Sequence, residues 1–267
     1  MAVDKLVDSS QLDTDLTSVA NAIRTKGGTS AQLAFPSGFV SAVEAIPTGG
    51  GATLKQELLG YTPTGDVYYV PDADIPRYGI MWKKGMTSLT LDFANGYSFA
   101  QSNSNGENIC NCSIPKITII GNNSGSVVLW GYCITACSSP FVVVCKGKLY
   151  KYSQSVFRAN TGLTTLDYTY TSGNGITKYD FYGDSSFGTL IIRGSTMMPL
   201  ADTSAFSNAT KFRSGGAGGT LYVPQSLIAS YEAATNWSTI LGYTNNQILP
   251  IEGSIYETQY ADGTPIA

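Results

Sequence analysis

Six short stretches of the chain, "MTSLTL", "IPKITI", "SPFVVV", "LTTLDY", "FGTLII" and "GGTLYV", share one apolar alternation and return at nearly regular intervals. With Leu89, Ile117, Phe141, Leu166, Leu190 and Leu221 as matching positions, the steps are 28, 24, 25, 24 and 31 residues. Nine residues before them stand Ile80, Asn108, Tyr132, Phe157, Phe181 and Phe212, a second mark that is large and apolar or aromatic everywhere except Asn108. Independent loops have no reason to hold two offsets at once. Stacked coils do, because each must present the same inward side chains to its neighbours. The pattern predicts a mainly β fold over residues 75–251, a solenoid with one short strand per turn and a parallel sheet along one side.

Period-two alternation sends Leu89 and Leu91, Ile117 and Ile119, Leu190 and Ile192, and Leu221 and Val223 inward. It leaves Thr90, Thr118, Val142, Asp167, Ile191 and Tyr222 as a row about 24 Å long on the outer face, at about 4.8 Å per strand. A solenoid needs its open end covered. After Pro224, the spacing of Leu227, Ile228, Tyr231 and Ala234 predicts a capping helix, with Trp237 and Ile240 packing beyond it.

The stretches "SVFRANTGLTTLDY", "YDFYGDSSFGTLIIRG" and "GGTLYVPQSLIASYEAATNWSTI" resemble the BspA-like class of leucine-rich repeats, whose units read roughly as Ala-Phe, a polar turn, then Leu-x-x-Leu-x-Leu. The resemblance implies a right-handed coil. "NICNCSIPKITIIG" lacks the aromatic, and "NNSGSVVLWGYCITACSSP" inserts an apolar run around Val127–Trp130, which blurs the repeat boundaries between 94 and 140.

Ahead of the repeats, "LTSVANAIRTKGG" has Leu12, Leu16, Val19, Ala20 and Ile23 on one helical stripe and ends at Gly27-Gly28, where a left-handed C-cap belongs. "FPSGFVSAVEAI" follows as a second short helix, with Pro36 in its first turn, Phe39, Val40, Val43 and Ile46 on one face, and Pro47 as its stop. So few residues seldom make a self-sufficient core. The hairpin therefore docks either on its own chain or on another, through Leu12, Leu16, Val19, Ile23, Phe39, Val43 and Ile46. The organisation expected is a helical docking or oligomerisation module at 1–47, a Gly-containing joint and lead-in at 48–74, the repeats with their capping helix at 75–251, and a tail at 252–267.

"KLVDSSQLDTDLTSVANAIRTKGGTSAQLAFPSGFVSAVEAI" is similar to an N-terminal segment found on structural and tail-associated proteins of phages and prophages of gut Firmicutes. That resemblance implies a virion part, other virion proteins as partners, and a homo-oligomer, with a trimer expected by likeness to phage fibres. The N-terminus has no apolar run of the length a signal peptide needs, which fits assembly in the host cytoplasm and release with the particle. No segment reaches the roughly 18 consecutive apolar residues of a membrane span.

Only 13% of residues are charged and the formal net charge is -3, so the basic clusters that nucleic-acid binding needs are missing. The chain has no histidine, which removes Ser-His-Asp and Cys-His nucleophiles and histidine metal sites. Five cysteines, 110, 112, 133, 137 and 145, cannot all pair within one chain. Cys110-x-Cys112 and Cys133-x3-Cys137 suggest zinc, yet Cys145 in "FVVVC" reads as a buried small hydrophobe, and core thiols are the favoured reading. Asp72 with Asp74, or Asp180 with Asp184, could serve a glycosidase, but both pairs lie in turn-like sequence where Asp bonds backbone. The Gly-rich stretches lack the Lys-Ser/Thr ending of a phosphate loop.

What remains is surface. "LYKYSQSVF" and "DYTYTSGNGITKYDFYG" interleave Tyr with Ser, Asn, Gly and Lys, as binding loops do. Tyr150, Tyr152, Tyr170, Tyr179, Tyr182 and Tyr222 are the receptor-binding candidates, whereas Tyr168 falls in an inward register. The sequence points to a non-enzymatic virion protein without cofactor or metal, a tail-fibre, receptor-binding or decoration component that presents its repeats to a host-surface glycan or protein. Two alternatives stay open: a carbohydrate-active enzyme on the particle, and a bacterial BspA-like surface adhesin.

Overall fold

The computed structural model describes residues 9–27, 65–81, 85–101, 106–122, 127–151, 154–243 and 245–266. The chain divides into two units, Met1–Gly50 and Gly51–Ala267. In the first, Ser9–Gly27 is a helix, α1, which ends where Gly27 predicts its stop. The second helix with Phe39, Val43 and Ile46, the side chain of Ile23, the Gly-rich joint and Tyr152 lie outside the described residues.

The second unit is mainly β. Its largest element is an eight-stranded, wholly parallel sheet in which neighbours follow one another along the chain. The strands are β1 (Gly65–Tyr69), β3 (Met86–Asp92), β5 (Lys116–Ile120), β8 (Phe141–Lys146), β10 (Leu163–Thr169), β11 (Thr189–Arg193), β12 (Thr220–Val223) and β13 (Gln247–Pro250). The six strands read from the repeat are adjacent and parallel in chain order, and the sheet extends one strand beyond them at each end, beginning at Gly65 rather than near 75. Parallel neighbours need a return crossing of a dozen or more residues. The repeat interval supplies it.

Register fixes which residues match. Val67, Leu89, Ile117, Val143, Leu166, Leu190, Leu221 and Ile248 stand side by side, at steps of 22, 28, 26, 23, 24, 31 and 27 residues. Val143, not Phe141, is therefore the anchor of the third of the six strands. Ile117 already pairs with Val143 rather than with Phe141, so the expected match is off by two, and a one-residue bulge at the start of β10 then sets Phe141 on Leu163 and Val142 on Thr165. A shift of two keeps every side chain on its face, so the hydrophobic pattern alone does not detect it.

A second sheet has three strands: β2 (Ile80–Met81), β4 (Ile109–Cys110) and β7 (Ile134–Thr135) pair in parallel. The row Ile80, Ile109 and Ile134 continues through backbone hydrogen bonds to Phe157, Phe181 and Phe206. Phe157 and Phe181 stack at 5.7 Å, and Phe181 and Phe206 at 5.2 Å. Three of the expected marks thus move, from Asn108 to Ile109, Tyr132 to Ile134 and Phe212 to Phe206. The Tyr132 error is the Phe141 error again, since Ile134 lies nine residues before Val143. Phe212 packs on Phe187 and Phe206 instead. A two-stranded parallel pair, β6 (Val127–Leu129) with β9 (Leu149–Lys151), accounts for the extra apolar run of the third repeat.

The corners repeat too. Two positions four residues apart take positive φ in successive repeats: Glu107 and Asn111, Tyr132 and Ala136, Ser155 and Ala159, Tyr179 and Gly183. Non-glycine residues rarely adopt this conformation, and here hydrogen bonds to the next repeat hold it, as from the Ser155 N–H to the Lys178 carbonyl. Just after the second corner, Cys112, Cys137, Asn160 and Asp184 form a polar ladder. The Cys112 N–H donates to Cys137 Sγ at 3.4 Å, the Cys137 N–H to Asn160 Oδ1 at 3.0 Å, and the Asn160 N–H to Asp184 Oδ1 at 2.6 Å. Each buried N–H is satisfied by the following repeat.

Helices α2 (Ile228–Ala233) and α3 (Thr235–Leu241) fill the crossing between β12 and β13. They bury Tyr231, Trp237 and Ile240 as the sequence leads one to expect. The Met198 N–H donates to the Tyr231 hydroxyl and Trp237 Nε1 donates to the Met198 carbonyl, both at 2.9 Å, so the two large rings enter the core with their polar atoms paired.

Residues 252–266 are not a free tail. They fold across the outer face of the sheet, where the row in true register is Tyr68, Thr90, Thr118, Val144, Asp167, Ile191, Tyr222 and Leu249. Thr118 Oγ1 donates to Asp262 Oδ2 at 2.8 Å, the Ala261 N–H to Asp167 Oδ2 at 2.9 Å, and Lys146 Nζ to Thr264 Oγ1 at 2.8 Å. Thr118, Asp167 and Ile191, expected on the open face, are buried, and Val144 rather than Val142 stands between Thr118 and Asp167.

Candidate binding surfaces

The residue at the first corner of each repeat sets what the surface there offers, half-buried at Tyr132 and Tyr179 and buried at Ser155. Tyr132 and Tyr179 occupy it two repeats apart, and Ser155 stands between them. The short serine leaves room for Arg158, three residues on. Arg158 Nη1 donates to the Tyr132 hydroxyl at 2.7 Å, and its guanidinium lies 5.4 Å from the Tyr132 ring, 5.5 Å from Tyr179 and 4.8 Å from Tyr182. Tyr179 and Tyr182 meet edge to face at 5.3 Å, and Lys178 Nζ lies 4.8 Å from the Tyr179 ring. All four of Tyr132, Arg158, Tyr179 and Tyr182 are half-exposed. Among the described residues no carboxylate pairs with Arg158. Its donors and three rings form one cationic, aromatic patch, suited to a ligand with apolar ring faces and oxygen acceptors.

The other tyrosines are placed differently. Tyr150 is exposed but lies outside this cluster. Tyr170 is 8% exposed and donates its hydroxyl to the Gly173 carbonyl, so it leaves the set of binding residues. Tyr222 is half-buried, packs edge to face on Tyr256 at 4.8 Å and lies outside the Arg158 cluster. Arg158 and Tyr132 were not among the sequence candidates. Their signal is the corner position, which becomes visible only once the repeats are in register.

The carboxylates hold structure. Asp180 is fully buried, pairs with Lys151 Nζ at 2.7 Å, and accepts the backbone N–H groups of Val156 and Thr177. Burial pushes its carboxyl up, against the attraction of Lys151, while burial lowers Lys151. Burial holds Asp184 well above the usual carboxylate range. Asp74 accepts the Ser98 N–H and Asp72 the Tyr69 hydroxyl. A glycosidase needs two carboxyls facing one groove, and Asp180 and Asp184 instead face backbone in the interior.

All five cysteines are buried free thiols. Burial raises Cys110 to about 11 and Cys133 and Cys145 further. Cys112 and Cys137 place their sulfurs 3.2 Å apart, and Cys137 is pushed up because its thiolate would form beside Cys112 in a buried site. Cys145 fills the core row between Ile119 and Tyr168. Among the described residues no group of three or more Cys, Asp or Glu is placed to hold a metal ion.

On α1, Leu12 is 45% and Val19 49% exposed, Leu16 is half-exposed, and Ala20 alone of the described stripe is buried. Among the described residues no helix is long and apolar enough to cross a membrane.

No protein-family model, no curated protein and no solved structure matches the chain.

Proposed function

We propose that the second unit is a right-handed solenoid of the BspA-like leucine-rich-repeat type, and that the chain is a non-enzymatic virion component that binds a host surface. The parallel strands in chain order, the paired corners and the ladder of Cys, Asn and Asp side chains support the solenoid. Leucine-rich repeats likewise carry Asn or Cys at one fixed position per unit. The phage context rests on the resemblance of residues 5–46 alone.

The observation that carries the binding reading is the Arg158 patch. Three tyrosines from the two flanking repeats converge on one guanidinium at the surface, while the buried carboxylates and thiols are engaged in holding the repeats together. Attachment falls to the N-terminal module, whose Leu12 and Val19 form an apolar face with room for another chain. Burying each such side chain contributes about 1.5–3 kcal/mol, so a few per chain hold a trimer or a particle contact.

The test is a truncation. Removing residues 1–47 should leave a folded repeat unit that sediments as a monomer, fails to join particles and still binds host cells. A truncated chain that keeps the parent's native mass and particle incorporation rejects the docking role.

A further inference from the structure

Beside the aromatic row, where the chain turns from the last Phe of that row into the helical crossing, a cleft of about 330 Å³ opens to solvent. Phe206, itself 1% exposed, is among the residues at its base. Among its lining residues are Ser207 and Tyr243 with their hydroxyls, Asn208 with its amide and Arg213 with its guanidinium, while the Ser204 hydroxyl is buried. The residues come from one continuous turn and from the end of α3, and the turn is stiff. Asp202 caps the short helix Thr203–Phe206 by accepting the Ser204 N–H at 2.8 Å, and Asn208 holds φ at +62°. The Ala209 N–H returns to the Phe206 carbonyl, the Arg213 N–H to Ala209 and the Gly216 N–H to Arg213. Phe206 itself is fixed between Phe181, Phe212 and Trp237. The cleft is therefore shaped before any ligand arrives.

Three features narrow the occupant. The volume is at the lower end of small-molecule sites, enough for one sugar-sized ring and too small for a nucleotide. The lining combines hydroxyls and an amide with Ile240 and the ring of Tyr243, which matches a polyhydroxylated ring with an apolar face. Arg213 is exposed and, among the described residues, has no ion pair, so its fork of donors is available to a carboxylate. No acidic side chain lines the cleft. The neighbouring Asp202 is turned to Ser204, whose backbone N–H, then hydroxyl, lower its carboxyl below the ordinary value.

We propose that this cleft binds a carboxylated monosaccharide unit, with Arg213 on the carboxylate and Asn208 and the hydroxyls of Ser207 and Tyr243 on the ring oxygens. The site lies apart from the Arg158 patch in residue composition. It deepens the host-surface reading and rests on it only for its biological meaning, since the binding itself is measurable without cells.

Saturation-transfer NMR and calorimetry on the purified full chain, with N-acetylneuraminate, glucuronate, galactose and glucose as probes, decide the matter. The acidic sugars should bind in the millimolar range and the neutral ones at least tenfold more weakly. Arg213→Gln should weaken acidic-sugar binding at least tenfold with the melting temperature unchanged. Asn208→Gly, which keeps the positive φ, should weaken it without changing the preference for acids. Absence of binding, equal binding of acidic and neutral sugars, or an Arg213→Gln chain that binds as before overturns the proposal. If sugar binding fails while host-cell binding persists and depends on Arg158, this inference falls and the host-surface reading stands.

Discussion

The guanidinium of Arg193 closes on both carboxylate oxygens of Asp167, Nε to Oδ1 at 2.7 Å and Nη2 to Oδ2 at 2.9 Å, across the paired strands β10 and β11. The remaining donors of Arg193 reach the carbonyls of Tyr256 and Gln259, and Asp167 also accepts the Ala261 N–H. One buried ion pair thus ties the C-terminal segment to the middle of the sheet.

Arg193→Ala leaves Asp167 charged and unpaired in the interior. Losing one partner of a buried pair costs about 3–5 kcal/mol. Chemical denaturation should show a loss of that size, and a much smaller one when residues 252–267 are already absent and Asp167 is exposed to water. Equal losses in the two backgrounds would mean that the segment does not bury this pair.

Asp184 makes stability depend on pH. Its folded pKa is raised by burial above the ordinary 3.8, so the folded chain holds the proton more tightly than the unfolded one. The resulting stabilisation is fully present below about pH 4 and is lost as pH rises through the folded pKa. Asp184→Asn keeps an acceptor for the Asn160 N–H and removes the charge, while Asp180 and Lys151 remain in both proteins. Melting curves from pH 4 to 7 should fall less steeply for the variant. Parallel curves would place Asp184's proton elsewhere.

A side chain at position 162 has nowhere to go. A Cβ on Gly162 would stand 2.0 Å from the Ser139 carbonyl oxygen of the preceding repeat, whose strand is fixed by the Phe141 N–H to Gly162 bond. Gly162→Ala should cost at least about 2 kcal/mol in urea unfolding, as overpacking against backbone does.

Thiol titration distinguishes packing cysteines from reactive ones. With all five buried, Ellman's reagent at pH 8 should label less than one thiol per native chain and all five after unfolding. Rapid native labelling would mark an accessible thiolate among them.

The strand order was legible because Leu89, Leu166, Leu190 and Leu221 repeat inside clear alternations, and the crossing helices because Tyr231 and Trp237 stand on a helical face. The slip at Phe141 and Tyr132 was not legible, since "FVVVC" is apolar throughout and anchors at Phe141 and Val143 put the same side chains on the same face. The covering of Thr118 and Asp167 left no local trace, for their partners Asp262 and Ala261 lie 144 and 94 residues away. Tyr179 and Tyr182 could be picked from a tyrosine-rich stretch, but Arg158 gains its meaning only from Ser155 three residues before it and from rings on both neighbouring repeats.

The central claim, that the corner patch is the host-binding surface, is tested most directly by fluorescently labelled full chain titrated onto a panel of gut Firmicutes cells. Arg158→Ala and the Tyr179→Ala/Tyr182→Ala pair would be compared with the parent chain. For strains that bind the parent, each variant should bind at least tenfold more weakly with an unchanged melting temperature, while Tyr150→Ala binds as the parent does. Undiminished binding by both patch variants, or a parent chain that binds no strain on the panel, would contradict it.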